Sequence, residues 1–176
     1  NPALIASWDF LHRYFNKVKN ESAANHALEQ VNQLKSVPSV LLHINQILNE
    51  GNIKDAEAKC REFLKKNPTN TFAMSLLSEI ANRLGHLDDA EFLLESAVKF
   101  KPDDPELRKK YLLVLRKRQK FAKTMEQVEI LCNKYPNNLS YKVQKAIEVM
   151  QNGDHKHAIK LFDDVKSKWG EIDFVV

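Results

Sequence analysis

Glycine and proline recur in this 176-residue sequence at intervals of 34 residues, and this interval constrains the fold more than any other feature. One series of positions holds Gly51, Gly85, Gln119 and Gly153, a second holds Pro68, Pro102, Pro136 and Gly170, and a third holds Ala56, Ala90, Thr124 and Ala158. Glycine commonly ends a helix because it adopts the left-handed conformation, and proline cannot continue one. The interval therefore predicts a repeated pair of helices, with small residues where the two helices cross.

A 34-residue helix-turn-helix unit with a small residue in its second helix and a proline after it resembles the tetratricopeptide repeat (TPR). The pattern is clearest from Thr71 to Asp104. The resemblance implies an all-α fold, a right-handed α-solenoid of stacked helix-turn-helix repeats in which each repeat packs only against its neighbours. We expect four TPR-like repeats over residues 37–172, with bounds at 37–70, 71–104, 105–138 and 139–172.

The two ends of the chain depart from this interval. Residues 1–36 predict a degenerate N-terminal helix pair that caps the solenoid; an alternative is that Trp8, Tyr14 and Phe15 form an exposed dimer contact. Residues 173–176 resemble the start of a truncated further helix, which predicts that the chain is a fragment of a longer protein.

Each predicted helix carries an apolar stripe at helical spacing, which predicts the core. The expected core includes Leu4, Trp8, Leu11, Phe15, Val18, Ala24, Ala27, Leu28, Val31 and Leu34 in the N-terminal pair, and Cys60, Leu84, Tyr111, Leu115, Tyr141 and Ile159 among others in the repeats. In the third repeat Gln119 and Thr124 replace the usual glycine and alanine, and we expect looser packing there.

The net charge of +4 is concentrated in one segment. Eight basic residues and no acidic residue occur between positions 108 and 123: Arg108, Lys109, Lys110, Arg116, Lys117, Arg118, Lys120 and Lys123. Three interpretations are open, namely a solvated face, a contact with an acidic partner or a downstream domain, and a nucleic-acid surface. The nucleic-acid surface is the least favoured of these. Proteins that bind single strands stack bases on aromatic side chains, and Phe121 is the one aromatic residue of this segment outside the predicted core.

The sequence contains no pattern that predicts catalysis, a cofactor or a metal site. Glycine-rich phosphate loops, G-x-S-x-G and H-E-x-x-H are all missing from it. His155 and His157 are two residues apart and would point to different faces of a helix. Cys60 and Cys132 lie two repeats apart, too far for a disulfide. No apolar run approaches the roughly 20 residues that a membrane span needs, so we expect a cytoplasmic protein, with a cleaved leader left open.

In the TPR family the first helix of each repeat lines a concave groove that binds a protein or peptide. By register, the resemblance assigns to this groove Leu41, Asn45, Leu48 and Asn49; Phe72, Ser75, Glu79, Asn82 and Arg83; Glu106, Lys109, Leu113, Arg116 and Lys117; and Ser140, Val143, Ile147, Met150 and Gln151. Amides and cations beside apolar side chains are typical of a surface that binds an extended peptide. The alternative is that these are merely exposed helix positions.

Some TPR domains bind acidic C-terminal tails through a carboxylate clamp. Its five positions hold Leu41, Asn45, Leu76, Glu106 and Lys110 here. Two of the five fit the clamp, and Glu106 would repel a carboxylate, so the sequence disfavours this specialisation.

Roughly residues 56–163 resemble the N-terminal repeat region of bacterial TPR-containing sulfotransferases. The segments that carry this resemblance are LLSEIANRLGHLDDAEFLLESAV, YLLVLRKRQKF and SYKVQKAIEVMQNGDHKHAIKLF. That resemblance implies a non-catalytic accessory region, with the transferase domain and its sulfate-donor site downstream. We predict an interaction scaffold; the alternative, which does not exclude it, is the accessory region of a larger sulfotransferase.

Overall fold

The structure is a computed structural model that describes the backbone of residues 2–169 and the side chains of residues 5–168 other than residue 33. Within this range the chain forms ten α-helices and no strands, so the all-α class is confirmed. The helices are α1 (Pro2–Lys17), α2 (Glu21–Ser36), α3 (Ser39–Asn49), α4 (Ile53–Lys66), α5 (Thr71–Arg83), α6 (Leu87–Phe100), α7 (Pro105–Lys117), α8 (Phe121–Lys134), α9 (Leu139–Gln151) and α10 (His155–Trp169). The further helix expected at residues 173–176 lies outside the described residues.

The helix starts follow the interval seen in the sequence. Helices α5, α7 and α9 begin 34 residues apart, and so do α4, α6, α8 and α10. Helix α3 is shorter, with 11 residues against 13 in α5. Its N-cap is Pro38, and Ser39 is its first helical residue.

The turn between the two helices of a repeat has the same backbone conformation whether or not it contains glycine. Gly51, Gly85 and Gly153 have φ values of 88°, 82° and 89°. Gln119 has a φ of 56° at the corresponding place, although a side chain disfavours this region. The α7–α8 turn therefore keeps the geometry that the other turns obtain from glycine.

The chain divides into two compact units, unit 1 (Asn1–Ile80) and unit 2 (Ala81–Val176), and the division falls within α5. In unit 1, α1 packs against α2 and α3 against α4. In unit 2, α7 packs against both α6 and α8, and α9 packs against both α8 and α10. Each helix from α7 to α9 thus has a neighbour on either side along the chain.

Most of the buried apolar residues lie on the predicted stripes, but Leu41 and Leu48, which the register assigns to the groove, are buried as well. In unit 1 the core includes Ala24, Ala27, Val31, Leu41, Ile44, Leu48, Ala56, Cys60 and Ala73, and in unit 2 it includes Ala90, Leu94, Leu107, Tyr111, Leu112, Leu115, Val128, Leu131, Tyr141, Ala146, Val149, Ala158 and Val165. The prediction is wrong at four exposed residues, which are Val18, Leu28, Leu84 and Ile159. Val18 and Leu84 follow the last residues of α1 and α5. Leu28 and Ile159 each follow a buried alanine, and one helical step rotates them about 100° away from it.

Thr124 is accommodated in the third repeat at the position where the other repeats have alanine. Its side chain is fully buried, and its Oγ1 donates a hydrogen bond to the backbone oxygen of Lys120 over 2.9 Å. The hydroxyl is therefore satisfied within its own helix, and the site accepts threonine without an unpaired polar group.

Candidate protein-binding surface

The groove residues expected in unit 1 differ widely in exposure. Leu41 and Ser75 have only 0% and 3% of their surface exposed, so they belong to the packed interior and cannot contact a ligand while the helices stay packed. Leu48 is also buried, Asn45, Phe72 and Glu79 are half-buried, and Asn49 is exposed. We therefore leave Leu41 and Ser75 out of the candidate site. Leu41 and Leu76, which stand at two positions of the carboxylate clamp, are buried as well.

In unit 2 the expected residues of α7 lie on one side of that helix. Leu113 and Lys117 are exposed, whereas Lys109 and Arg116 are half-buried. Leu113 has 54% of its surface exposed, although the other leucines of α7 are buried. The residues Tyr111, Leu112 and Leu115 form the opposite, buried side. An apolar side chain therefore stands among basic ones on the outward side of α7.

Helix α9 presents a comparable row in the same unit. Val143 and Ile147 are half-buried, and Met150 is 43% exposed. We call the outward row formed by Asn82, Arg83, Lys109, Leu113, Arg116, Lys117, Val143, Ile147 and Met150 the first-helix surface. All nine residues belong to unit 2.

Polar contacts join the first helices of consecutive repeats across this surface. Lys117 Nζ on α7 donates a hydrogen bond to Asn82 Oδ1 on α5 over 2.8 Å. Arg116 Nη2 on α7 donates to Gln144 Oε1 on α9 over 2.7 Å. Lys109 Nζ lies 5.8 Å from the centre of the Tyr141 ring, within the range of a cation–π contact. Of the predicted groove residues, Asn82 and Lys117 are therefore in direct contact.

Glu148 is a buried carboxylate that sequence reasoning missed. Only 2% of the residue is exposed, and its Oε1 accepts hydrogen bonds from the Arg116 guanidinium. Its Oε2 has no hydrogen-bond partner among the described residues. The 34-residue interval could have indicated this burial. Glu148 stands 34 residues after Val114, which is itself buried. The positive charge of Arg116 is therefore already matched by a carboxylate from α9.

The basic segment at positions 108–123 is also matched by acidic groups. Glu91 on α6 is 4% exposed and pairs with Arg118 Nη1 at 2.5 Å, Lys120 Nζ at 2.7 Å and Lys123 Nζ at 3.5 Å. Burial by itself raises the pKa of Glu91. The hydrogen bond from Lys120 and the surrounding positive charges outweigh burial, so this pKa lies below its ordinary value of 4.5.

Arg108, which we had counted with the basic surface, lies in the interior. It is buried, its guanidinium donates to Gln127 Oε1, and its Nη2 donates to the backbone oxygen of Pro102 over 2.9 Å. The interpretation of the segment as a solvated face therefore does not hold at this residue. Arg116, Arg118 and Lys120 lie close together in the sequence, and their acidic partners Glu148 and Glu91 lie on neighbouring helices.

Among the described residues no group of three or more His, Cys, Asp and Glu side chains is placed to hold a metal ion. No helix within residues 2–169 is both long enough and apolar enough to span a bilayer.

Comparison with known proteins places the fold in a class. Residues 48–111 match the family described as "Tetratricopeptide repeat". Among solved structures, one titled "Crystal structure of MamA protein" has a TM-score of 0.68 and 15% identity, covering 100% of this chain and 99% of that chain. Residues 41 to the end of MamA from Desulfovibrio magneticus RS-1 give a TM-score of 0.67 and 16% identity, with 97% of each chain covered. The predicted TPR-like solenoid is therefore confirmed as the fold.

A third likeness covers less of the chain. A mutant O-GlcNAc transferase from Thermobaculum terrenum has a TM-score of 0.54 and 19% identity, over 63% of this chain and 21% of that chain. A search of curated protein sequences found no match. These comparisons support the TPR resemblance, whereas the sulfotransferase resemblance stays a prediction.

Proposed function

We propose that this chain is a protein-interaction scaffold that binds an extended segment of a partner protein on the first-helix surface. The observation that carries the proposal is the exposure of Leu113, which has 54% of its surface in solvent on a helix whose other leucines are buried. Burying a leucine side chain in a complex contributes up to about 1.5–3 kcal/mol. The surface thus offers an apolar contact surrounded by groups that hydrogen-bond.

Two further features support a binding surface rather than a merely exposed helix side. The contacts from Lys117 to Asn82 and from Arg116 to Gln144 hold these side chains in place before any ligand arrives. Ordered side chains lose less conformational entropy on binding than free ones, which favours affinity. The TPR fold itself is typical of proteins that bind other proteins. On this proposal the segment binds and does not catalyse, and it needs no cofactor. The expected cytoplasmic location stays a prediction.

The test compares two exposed apolar residues of unit 2. Leu113→Ser removes the apolar contact from the first-helix surface, whereas Phe92→Ser makes a similar change on α6, where Phe92 is 69% exposed. We expect the proteins captured by the immobilised chain from its own cell extract to be lost with Leu113→Ser and kept with Phe92→Ser. Circular dichroism should show the same helicity for both variants. Equal capture by both would contradict the proposal.

A second candidate is an accessory region of a larger transferase. The observation that favours it is the likeness of part of this chain to 21% of an O-GlcNAc transferase chain, together with the sequence resemblance to TPR-containing sulfotransferases. The gene sequence that follows Val176 tests this candidate. A strand, a phosphate-binding loop and a helix downstream would support it, and a stop codon there would reject it.

A nucleic-acid-binding role is less well supported. The contacts of Glu91 and Glu148 match several charges of the basic segment, and Arg108 is buried. Fewer cations are then left for phosphates than the sequence indicates.

A further inference from the structure

The pair formed by Lys117 and Asn82 is rich in hydrogen-bond donors. Lys117 Nζ donates one of its three N–H groups to Asn82 Oδ1 over 2.8 Å. Two N–H groups of Lys117 remain, and the amide nitrogen of Asn82 carries two more. The oxygen of Asn82 already accepts from Lys117. A ligand group that fits this pair is therefore an acceptor.

The ammonium group of Lys117 has a different kind of partner from the charged groups of Lys109 and Arg116. Lys109 pairs with Glu106 at 2.5 Å, and Arg116 pairs with Glu148. The partner of Lys117 is a neutral amide, which orders the ammonium group without cancelling its charge. A bound anion would gain a charge-assisted hydrogen bond there.

Leu113 lies one helical turn before Lys117. Residues four apart on a helix are neighbours on its surface, and both side chains are exposed. A ligand that reaches Lys117 therefore passes close to an apolar side chain.

We propose that Lys117 and Asn82 bind the side-chain carboxylate of an aspartate or glutamate in the partner segment, while Leu113 contacts an apolar side chain next to it. This inference rests on the proposed function and names the chemistry of the ligand. Lys117 and Asn82 contact the carboxylate, and the bond between them fixes the direction of the ammonium group. The site differs from the carboxylate clamp, because it uses none of the clamp positions.

The experiment uses the full chain and three synthetic peptides of one length, each carrying a fluorescent label. They share regularly spaced leucines and differ in the residue beside each leucine, which is glutamate, glutamine or lysine. Blocked ends leave side chains as the sole source of carboxylates, and a fourth peptide combines glutamine with a free C-terminal carboxylate. We expect fluorescence anisotropy to show the glutamate peptide binding about tenfold more tightly than the glutamine peptide, and the lysine peptide more weakly still. The preference should shrink between about 0.02 M and about 0.3 M salt.

Two variants assign the effect to the pair. Lys117→Met should weaken binding of the glutamate peptide to the level of the glutamine peptide. The matched control Lys145→Met removes the same charge from α9, where Lys145 pairs with Glu129 at 3.7 Å, and should change binding less than about twofold.

Asn82→Asp distinguishes recognition from a structural role. The new carboxylate would pair with Lys117 and occupy it, so thermal stability should stay the same or rise while binding of the glutamate peptide falls about tenfold. A merely structural pair would instead lose stability and binding together.

The inference is overturned by equal binding of the glutamate and glutamine peptides, by binding of the free C-terminus alone, or by no binding of any peptide. None of these results affects the comparison of Leu113→Ser with Phe92→Ser. That comparison tests the proposed function separately from this inference. Unchanged binding in Lys117→Met would reject the assignment to this pair even if the glutamate preference is found.

Discussion

Lys120 donates a hydrogen bond from Nζ to Oε1 of Glu91 over 2.7 Å, and this contact joins the turn between α7 and α8 to α6. Arg118 Nη1 bonds the other carboxylate oxygen at 2.5 Å. Both neighbours of Gln119 are thus held by one carboxylate. Gln119 itself has a φ of 56°, a conformation that costs a residue with a Cβ about 1–2 kcal/mol. The ion pairs of Glu91 flank a turn that has glutamine where the other turns have glycine, and we expect them to stabilise it.

Replacing Glu91 with glutamine should destabilise the fold. Glu91→Gln keeps the shape of the side chain but removes the charge that three cations share. Because the cations are partly exposed, we expect a loss of about 1–2 kcal/mol, less than for a fully buried pair. Urea unfolding followed by circular dichroism at neutral pH measures this loss.

The matched control is Glu95→Gln, one turn further along α6. Glu95 pairs with a single exposed lysine, Lys99, at 3.5 Å, and its removal should cost no more than about 0.5 kcal/mol. A loss for Glu91→Gln as small as that for Glu95→Gln would show that the cluster does not stabilise the turn.

The contribution of Glu91 should depend on pH in one direction. Its folded-state pKa lies below the ordinary value of 4.5, so the folded state favours the charged carboxylate. The stabilisation is therefore fully present above pH 4.5 and is lost as the pH falls through the folded-state pKa. We expect the stability difference between the wild type and Glu91→Gln to be constant near neutral pH and to shrink below about pH 4.5. A difference that grew on acidification would contradict this assignment.

The two cysteines should react with thiol reagents at different rates. Burial raises the pKa of the Cys60 thiol to about 11, and the residue is fully enclosed, with Sγ 3.4 Å from the backbone oxygen of Ala73. Burial also raises the pKa of Cys132, but this residue is only half-buried. Since the thiolate is the reactive form, iodoacetamide at neutral pH should label Cys132 slowly and Cys60 hardly at all.

Mass spectrometry of the labelled peptides measures both rates in one sample. In about 6–8 M urea, where the chain unfolds, the two cysteines should react at similar rates. Faster labelling of Cys60 than of Cys132 in the native protein would indicate that the helices around Ala73 open.

Much of the fold could be predicted from the sequence because its signals are local. The helix end at Gly85 depends on backbone conformation at one residue, and the stripe from Leu107 to Leu115 depends on spacing within one helix. The errors at Val18 and Leu28 are of the same local kind, since a shift of one residue decides whether an apolar side chain faces the core.

The candidate site was predicted less completely. The register placed Leu113 and Lys117 on one outward helix side, and both are exposed. The same register assigned Leu41 and Ser75 to the groove, and both are buried. A repeat register transfers positions, but the exposure of each position depends on the side chains that surround it in its own repeat.

The amino-acid sequence by itself determined the all-α class, the 34-residue interval and most of the core, because turns and helix stripes depend on residues a few positions apart. Only the tertiary structure decided which charges cancel. Glu91 lies 29 residues from Lys120, and Glu148 lies 32 residues from Arg116, so no local pattern marks either pair. Electrostatic energy falls with distance in space, and the packing of the helices sets that distance.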